Sequence, residues 1–593
     1  MSTVYGGQLD EDIRVIIDGK TVFCPRNSSI LEAARIAGIE IPTLCYLKGL
    51  TPTGMCGVCA VEIENEDGTR KIRRACRYRA KDGMVIYTNS KKIDEYRKER
   101  MEKLLAIHPQ DCLTCHKSNG NCKFQKVANN FADRYNLEVK SVKVPNRGTD
   151  DSSPAFVREM EKCIACGRCI NVCNEVQKIK IYEMYHDKKT GDKYCRIKGG
   201  FNLKDTNCIN CGQCVKVCPV GALTEKNGIV DALNAIDDPN LTVVWSMAPA
   251  IQNTLGEEFG LPTGTDVTRK IAAAMKRVGA YAYTTDFSAD LTIMEEGTEF
   301  IGRVSNGGVL PMLTSCCPGW IRYMEYNYPD QLEHLSSCKS PQQMFGALVK
   351  NYLPSKINVD AKKIYHISIM PCTAKKFECQ RPEMGGDYGK DVDVVLTTRE
   401  VAKLFKMRGI DLATIEEEDF DSLMGCGTGA GRIFSSTGGV MEAALRTVVW
   451  KLTNGKIDTI DYVAARGYKG VKEATLNING MDVRVAVVNG IGNVKPVMDD
   501  VRAGKSPYHF IEVMACPGGC LNGGGAPLTS EPAMIGVRMD KTYESDKNNK
   551  LRRSHENPEI QEIYKDYLGE PCGHISHHIL HTTYTDRSKT VKH

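Results

Sequence analysis

Two runs of cysteine at one shared spacing constrain this chain more than any other feature. Cys163, Cys166, Cys169 and Cys173 follow C-x2-C-x2-C-x3-C, and Cys208, Cys211, Cys214 and Cys218 repeat it with Pro219 behind. Soft thiolates on such short loops suit an iron–sulfur cubane, and each fourth cysteine of this doubled pattern serves the other cluster. Two [4Fe–4S] clusters are therefore expected, with a pair of zinc sites as the alternative. Asn174 stands where the first unit would often carry proline. In all, the chain has 26 cysteines among 593 residues. Its start, Met1 to Glu11, is polar and acidic and reads as no export signal, and no run approaches the ~18 apolar residues that would span a membrane. Thiols in an unexported chain read as metal ligands or reactive groups, not disulfides, so a cytoplasmic protein with no membrane association is expected. Charge adds an exclusion: 78 basic against 73 acidic side chains leave +5, which gives no nucleic-acid signal.

Length, at roughly 100–200 residues per domain, suggests about four domains. Ile13–Ile17, Asp18-Gly19 and Thr21–Phe23 read as strand, turn and strand, and Ser29-Ile-Leu-Glu32 as a capping box opening a helix that stops at Gly38. A second hairpin around Asp67-Gly68, between Ala60–Ile63 and Lys71–Cys76, completes a small β-rich domain over 1–90. A charged helical stretch, Lys92 to His108, leads into a cysteine group and a second domain over 91–150. Pro145 to Pro154 is dense in turn and breaker residues and reads as the clearest linker, placing the doubled-cysteine domain over 151–235. Beyond it, Leu241–Met247, Val309–Leu313, Lys363–Met370, Val392–Leu396 and Tyr508–Met514 are β-rich runs alternating with helical segments, which predicts a large α/β domain over 236–593. The whole is multidomain, α+β followed by α/β. Three of these runs end in cysteine-bearing loops, and loops at the carboxyl ends of strands are where such sheets place ligands.

Two further constellations lie ahead of the doubled repeat. Cys45-x10-Cys56-x2-Cys59-x16-Cys76 falls in the β-rich domain and suggests a ferredoxin-type [2Fe–2S] site, with structural zinc as the alternative. His108-x3-Cys112-x2-Cys115-x6-Cys122 is the other, and His116 competes with His108 for the imidazole position. Both resemble the N-terminal region shared by multi-cluster hydrogenases and the large iron–sulfur subunit of respiratory NADH dehydrogenase. The resemblance implies a β-grasp ferredoxin-like fold for 1–90 and a [4Fe–4S] cluster on His108, Cys112, Cys115 and Cys122. A neutral imidazole in place of a thiolate alters the cluster's potential.

Thr314-Ser-Cys-Cys-Pro-Gly-Trp320, Met370-Pro-Cys-Thr-Ala-Lys-Lys-Phe-Glu378 and Glu512-Val-Met-Ala-Cys-Pro-Gly-Gly-Cys520 look like the three signatures of [FeFe]-hydrogenases. With the accessory motifs, the resemblance spans nearly the whole chain. It implies an H-cluster, a [4Fe–4S] cubane joined to a two-iron unit with CO, cyanide and a bridging dithiolate amine, inserted by maturation proteins. Cys317, Cys372, Cys516 and Cys520 would hold the cubane, with Cys520 bridging to the two-iron unit. Cys316 would be the unligated proton donor. Glu296, Glu299 and Arg303 share one helical face by spacing, which alone reads as a solvated ion-pair face. The resemblance makes them, with Ser336, a proton relay running Cys316, Glu296, Ser336, Glu299, Arg303. It also sets Lys375 toward a cyanide as a charge-assisted donor, Pro249 and Gln342 along the diatomic ligands, and Met370 and Met514 beside the irons, although the methionines alone read as core.

The remaining cysteines, Cys24, Cys195, Cys379, Cys426 and Cys572, read as ordinary thiols; Cys338 reads as packing, with contact to the H-cluster loop as the alternative. His574, His577, His578 and His581 read as a structural or solvated tail, with metal binding as the alternative. Gly425-Cys-Gly-Thr-Gly-Ala-Gly431 is not G-x-G-x-x-G, and there is no P-loop, so a nicotinamide site and flavin would belong to another subunit.

The expected function is reversible 2 H+ + 2 e− to H2 in anaerobic hydrogen metabolism, with one [2Fe–2S], three accessory [4Fe–4S] clusters and the H-cluster. The chain is expected to serve a complex whose flavin- and NADH-binding subunits or ferredoxin exchange electrons with it. The alternatives are a stand-alone ferredoxin-dependent hydrogenase and a non-catalytic electron-transfer or cluster-assembly protein. Between Arg70 and Lys103, 13 Lys or Arg face 5 Asp or Glu. That excess, with Arg97, Lys98 and Arg100 in it, is expected to form either a solvated helix or a docking patch for an acidic partner.

Overall fold

The computed structural model describes residues 12–117, 120–139, 141–529 and 531–592; the Met1–Glu11 segment read for targeting lies outside them. Asp12–Ile17 pairs antiparallel with Lys20–Pro25 across a turn in which Asp18 and Gly19 have φ of 46° and 79°. Ile13, Val15 and Ile17 are buried between exposed neighbours, the period-two pattern of a strand with one wet face. Val85–Tyr87 slots parallel to the first strand, and Ala60–Glu64 with Arg70–Arg74 completes a five-stranded mixed sheet. Helix Ile30–Ile36 starts at the Ser29/Glu32 capping box and buries Ile30, Leu31, Ala33 and Ala34. This is the ferredoxin-like arrangement the sequence leads one to expect.

Helix Lys91–Ala106 follows, capped by Ser90. Its register narrows the cations available to a basic patch. Arg97 is 2% exposed and donates to the Ala60 carbonyl, while Arg100 donates to the Cys56 and Met55 carbonyls. Those two cations brace the first cysteine loop, and the buried Arg97 is taken out of any such patch.

The Pro145 to Pro154 stretch is also more than a linker, because Thr149–Asp150 pairs with Phe156–Glu159, which in turn pairs with Leu223–Glu225. The doubled repeat is thus closed by a small sheet. Within it, helix Gln213–Val217 begins after Gly212, whose φ is +67° and where a Cβ would sit 2.2 Å from Thr373 Oγ1. Only glycine permits this close approach to the second hydrogenase-like signature.

Among the described residues, the large α/β region holds two four-stranded sheets. One is parallel, in the order Tyr281–Thr284, Thr242–Met247, Ile364–Met370, Val394–Thr397. The other orders Met312–Leu313, Phe510–Met514, Met481–Asn489 and Val471–Ile478. Of the expected runs, Val309–Leu313 shortens to Met312–Leu313. Helix Asp286–Ser305 is buried along most of its length. Its start is so tightly packed that a Cβ at Gly427 would lie 2.2 Å from Asp286 Cβ, which explains the glycine-rich run without a ligand. No helix among the described residues is long and apolar enough to cross a membrane.

Candidate metal and proton-transfer site

The carboxyl ends of strands from both sheets deliver the signature loops to one cavity of about 750 Å³, its mouth included. Cys317, Cys372, Cys516 and Cys520 line it together with Cys316, Pro249, Gln342, Met370, Lys375 and Met514. Parallel strands explain the convergence, because each leaves its sheet in the same direction. Burial pushes the Cys516 and Cys372 thiols well up and that of Cys520 to about 12, so a metal would displace protons on binding. Four soft donors around one largely apolar hollow fit an iron–sulfur group, and the unligated remainder of the cavity leaves room for more.

Lys375 is oriented by a residue that sequence reasoning passes over. Glu378, three positions on in helix Ala374–Glu378, accepts from Lys375 Nζ at 2.9 Å, Ser340 Oγ at 2.9 Å and Gln342 Nε2 at 3.1 Å. Lys375 also donates to the Cys316 carbonyl at 3.1 Å. Its presence at the end of the second signature, one helical turn from Lys375, was the available signal. Glu378→Ala is expected to leave metal content unchanged and to lower turnover at this site by about 10–100-fold, the range seen when the partner that orients a metal-site group is lost. Unchanged turnover would show that Lys375 and Gln342 hold their positions without it.

On helix Asp286–Ser305, Glu299 accepts from Ser336 Oγ at 2.7 Å and from Arg303 at 2.6 Å. Arg303 also donates to the carbonyls of Val309, Glu333, His334 and Leu335, which fixes it at the half-buried end of the row. Glu296 is 1% exposed, and among the described residues neither carboxylate oxygen has a partner at hydrogen-bond distance, although Ser336 and the Ser315 backbone lie close enough to temper its pKa. Burial, and then the charge of Glu299, pushes its pKa up to about 8. Burial, then Glu296, likewise keeps the Cys316 thiol well above its ordinary value. Cys338 faces this row, not the cavity, with its Sγ 3.8 Å from Glu299; its carbonyl accepts from Ser315 of the first signature loop.

Twelve of the accessory cysteines gather in three places, while Cys115 and Cys122 of the His108 group are half-buried and Cys112 is exposed. Cys163, Cys166, Cys169 and Cys218 line one cavity, and Cys173, Cys208, Cys211 and Cys214 line another, so the fourth thiol crosses in each. Cys195, read as an ordinary thiol, lines the first of these with Sγ 3.2 Å from Cys169 Sγ. Cys45, Cys56, Cys59 and Cys76 are all buried, with Cys45 and Cys56 sulfurs 3.3 Å apart. Arg168, inside the Cys166-Cys169 loop, donates to the carbonyls of Leu44, Cys45 and Tyr46 and ties these two regions together. His108 is buried with Nδ1 unpartnered among the described residues, an orphan that suits a metal ligand, while His116 is exposed. Burial lowers the His108 pKa to about 4, so the ring is neutral and able to ligate.

The fold and its thiol-lined cavity define an iron-only hydrogenase, and the chain belongs to that family. The family model described as iron only hydrogenase large subunit, C-terminal domain, matches residues 241–524, and iron hydrogenase small subunit matches 533–587. A 2Fe-2S iron-sulfur cluster binding domain matches 10–91, the NADH-ubiquinone oxidoreductase-G iron-sulfur binding region 97–132, and a 4Fe-4S dicluster domain 162–222. Among relatives, the NADP-reducing hydrogenase subunit HndD of Solidesulfovibrio fructosivorans is 42% identical, over 97% of this chain and 99% of its own length. Iron hydrogenase 1 of Clostridium pasteurianum is 40% identical over 96% and 99%. A solved [FeFe]-hydrogenase of Chlamydomonas reinhardtii aligns with a TM-score of 0.55 and 39% identity, covering 60% of this chain and 98% of that one. This chain is therefore a hydrogenase with 2Fe-2S and 4Fe-4S accessory domains.

Proposed function

We propose that the chain is the hydrogen-activating subunit of a complex in which other subunits carry the flavin and the pyridine-nucleotide site. Its domains would be those expected from sequence: 1–90 for one [2Fe–2S], 91–150 for the His108 cluster, 151–235 for two [4Fe–4S] clusters and 236–593 for the H-cluster. The observation that carries the catalytic reading is the shared cavity of Cys316, Cys317, Cys372, Cys516 and Cys520, with the buried Glu296 and half-buried Glu299 behind it. Support for the complex comes from the HndD-like sequence over almost its entire length and from the lack of a dinucleotide motif.

The H-cluster, when bound, supplies the two-electron chemistry that joins protons to H2. Cys317, Cys372, Cys516 and Cys520 would hold it, and Lys375, Gln342, Pro249, Met370 and Met514 would shape its surroundings. Cys316 gives and recovers the proton at the cavity wall, and Glu296, Ser336 and Glu299 pass it between there and the surface, with the permanently charged Arg303 holding Glu299 in place. Infrared spectroscopy of matured protein should show metal-bound CO and cyanide bands, and purification under native conditions should bring flavin-containing subunits with it. Absent bands would overturn the H-cluster reading; a chain that purifies alone and exchanges electrons with ferredoxin directly would overturn only the complex.

Electron entry remains at the N-terminal region in this proposal, but on other cations than Arg97 and Arg100. Lys71, Arg77 and Lys81 are exposed. Reversing these three charges is expected to slow partner-driven turnover by roughly tenfold at low salt, because complementary fields speed encounter. Turnover with a small-molecule reductant should not change. Partner-driven rates equal to wild type across a salt series would rule this surface out.

A further inference from the structure

Glu295 lies one position before Glu296, yet the row from Cys316 to Arg303 gives it no task. It is fully buried, and its carboxylate points into the C-terminal segment that matches the small-subunit family. There Tyr564 donates to Oε1, while the Cys572 backbone N–H donates to Oε2 at 2.7 Å. His581 Nε2 stands 3.1 Å from the same oxygen, and the Cys572 Sγ is 3.4 Å from the Glu295 carbonyl. One carboxylate oxygen, one imidazole nitrogen and one thiol sulfur thus lie within 4.8 Å of one another.

We propose that Glu295, Cys572 and His581 form a binding site for a zinc-class divalent metal, and that its occupation slows proton passage at Glu299. The donor set is of borderline softness, and three protein ligands with an open fourth position are a regular zinc arrangement. The surrounding bonds prepare each donor. Without metal, His581 Nε2–H donates to the Glu295 carboxylate; Ser337 Oγ, 2.8 Å from Nδ1, can accept the ring proton when it moves to Nδ1, and Nε2 is then free to ligate. The Tyr564 hydroxyl fixes the carboxylate from its other oxygen. Cys572 has a φ of 57°, a left-handed backbone that turns its sulfur back toward helix Asp286–Ser305. On binding, the Cys572 thiol gives its proton to solvent and the metal takes its place, with no change of oxidation state.

Access and consequence both follow from the neighbours. Exposed His577 stacks on His581 with ring centroids 4.4 Å apart, so the buried imidazole is one ring away from a surface imidazole. His581 also lies within 4.8 Å of the Glu299 carboxylate and Cys338 Sγ. The Ser337 backbone N–H, on the residue whose hydroxyl meets His581, donates to both Glu299 oxygens at 3.3 and 3.2 Å. A metal that pins His581 therefore stiffens the bonds around Glu299 and adds positive charge beside it. The binding half stands on this geometry alone, whereas the effect on turnover rests on the relay proposed above.

The test adds one equivalent of zinc to the cluster-loaded protein, removes free metal, and reads zinc K-edge absorption, which iron does not obscure. The expected result is one bound zinc with one sulfur at about 2.3 Å and otherwise nitrogen or oxygen neighbours. Cys572→Ser should lose that sulfur and bind at least about tenfold more weakly, while its zinc-free turnover stays at the wild-type level. Separately, zinc should slow H2 turnover in wild type and not in Cys572→Ser. A shell of three or four sulfurs would show zinc in the cluster sites and overturn the proposal, as would an unchanged spectrum in Cys572→Ser. Zinc bound with the expected shell but without effect on turnover would overturn the regulatory half, and normal infrared bands in the same sample would show that the H-cluster reading still stands.

Discussion

Cys316→Ala is expected to keep its full iron complement and lose most of its H2 turnover, by about 10²–10⁴-fold, the share that a positioned proton-transfer group contributes. Alanine preserves what the backbone does here, since Lys375 bonds the Cys316 carbonyl and not its thiol. The loss would therefore belong to the sulfur-bound proton. Burial, and then the charge of Glu296, keeps this thiol protonated, which is the state a donor needs. Iron quantitation and H2 assays on the same preparation decide the matter. Wild-type turnover would remove Cys316 from the proton path, and loss of iron would make it a ligand.

Short-range spacing is readable from sequence in a way that long-range docking is not. Four thiols within eleven residues, as in Cys163 to Cys173, can only sit on adjoining loops, so the spacing names them before any fold is known. Capping boxes are equally local, and Ser29 with Glu32 behaves as its residues dictate. By contrast, Glu378 matters through Ser340 and Gln342, which arrive from a different helix, and no periodicity signals that meeting. The C-terminal histidines show the same limit. His581 gains its partners Glu295 and Ser337 only because the segment after Pro558 folds back over the buried helix.

Some misses were readable. Val471–Ile478 and Met481–Asn489 flank Asn479-Gly480, both with positive φ, a strong hairpin signal that concentration on the cysteine loops passes over. Helix Lys91–Ala106 shows a different failure. Counting cations along Arg70 to Lys103 treats them as one surface, but Arg97 lies on the same side of the helix as Ile93, Met101 and Leu104 and is buried with them. Net charge in a window predicts a field only when the helix face is also considered.

Glu296→Gln is expected to be the second large loss, again about 10²–10⁴-fold in turnover, with metal-bound CO and cyanide bands unchanged. Glutamine matches the size and hydrogen-bonding edge of the neutral acid but cannot release a proton. The wild-type carboxyl, with its pKa raised from 4.5 to about 8, is neutral at pH 7 and can both give and regain one. The same shift makes a stability prediction whose sign is fixed. Between pH 4.5 and 8 the folded protein holds a proton at Glu296 that the unfolded chain has released. Its contribution to stability is therefore full below about pH 4.5 and declines as pH rises through 8, at about 1.4 kcal/mol per unit in that window. Glu296→Gln removes this slope, so its Tm should gain on the wild-type Tm steadily from pH 5 to 8. An infrared band of a protonated carboxyl, fading near pH 8 in wild type and absent from the variant, would identify the group directly. If wild type and variant lose Tm in parallel across that range, Glu296 is ionised throughout. The step from Cys316 to Glu299 would then need another carrier, because an ionised Glu296 could accept the thiol proton but could not have been its source.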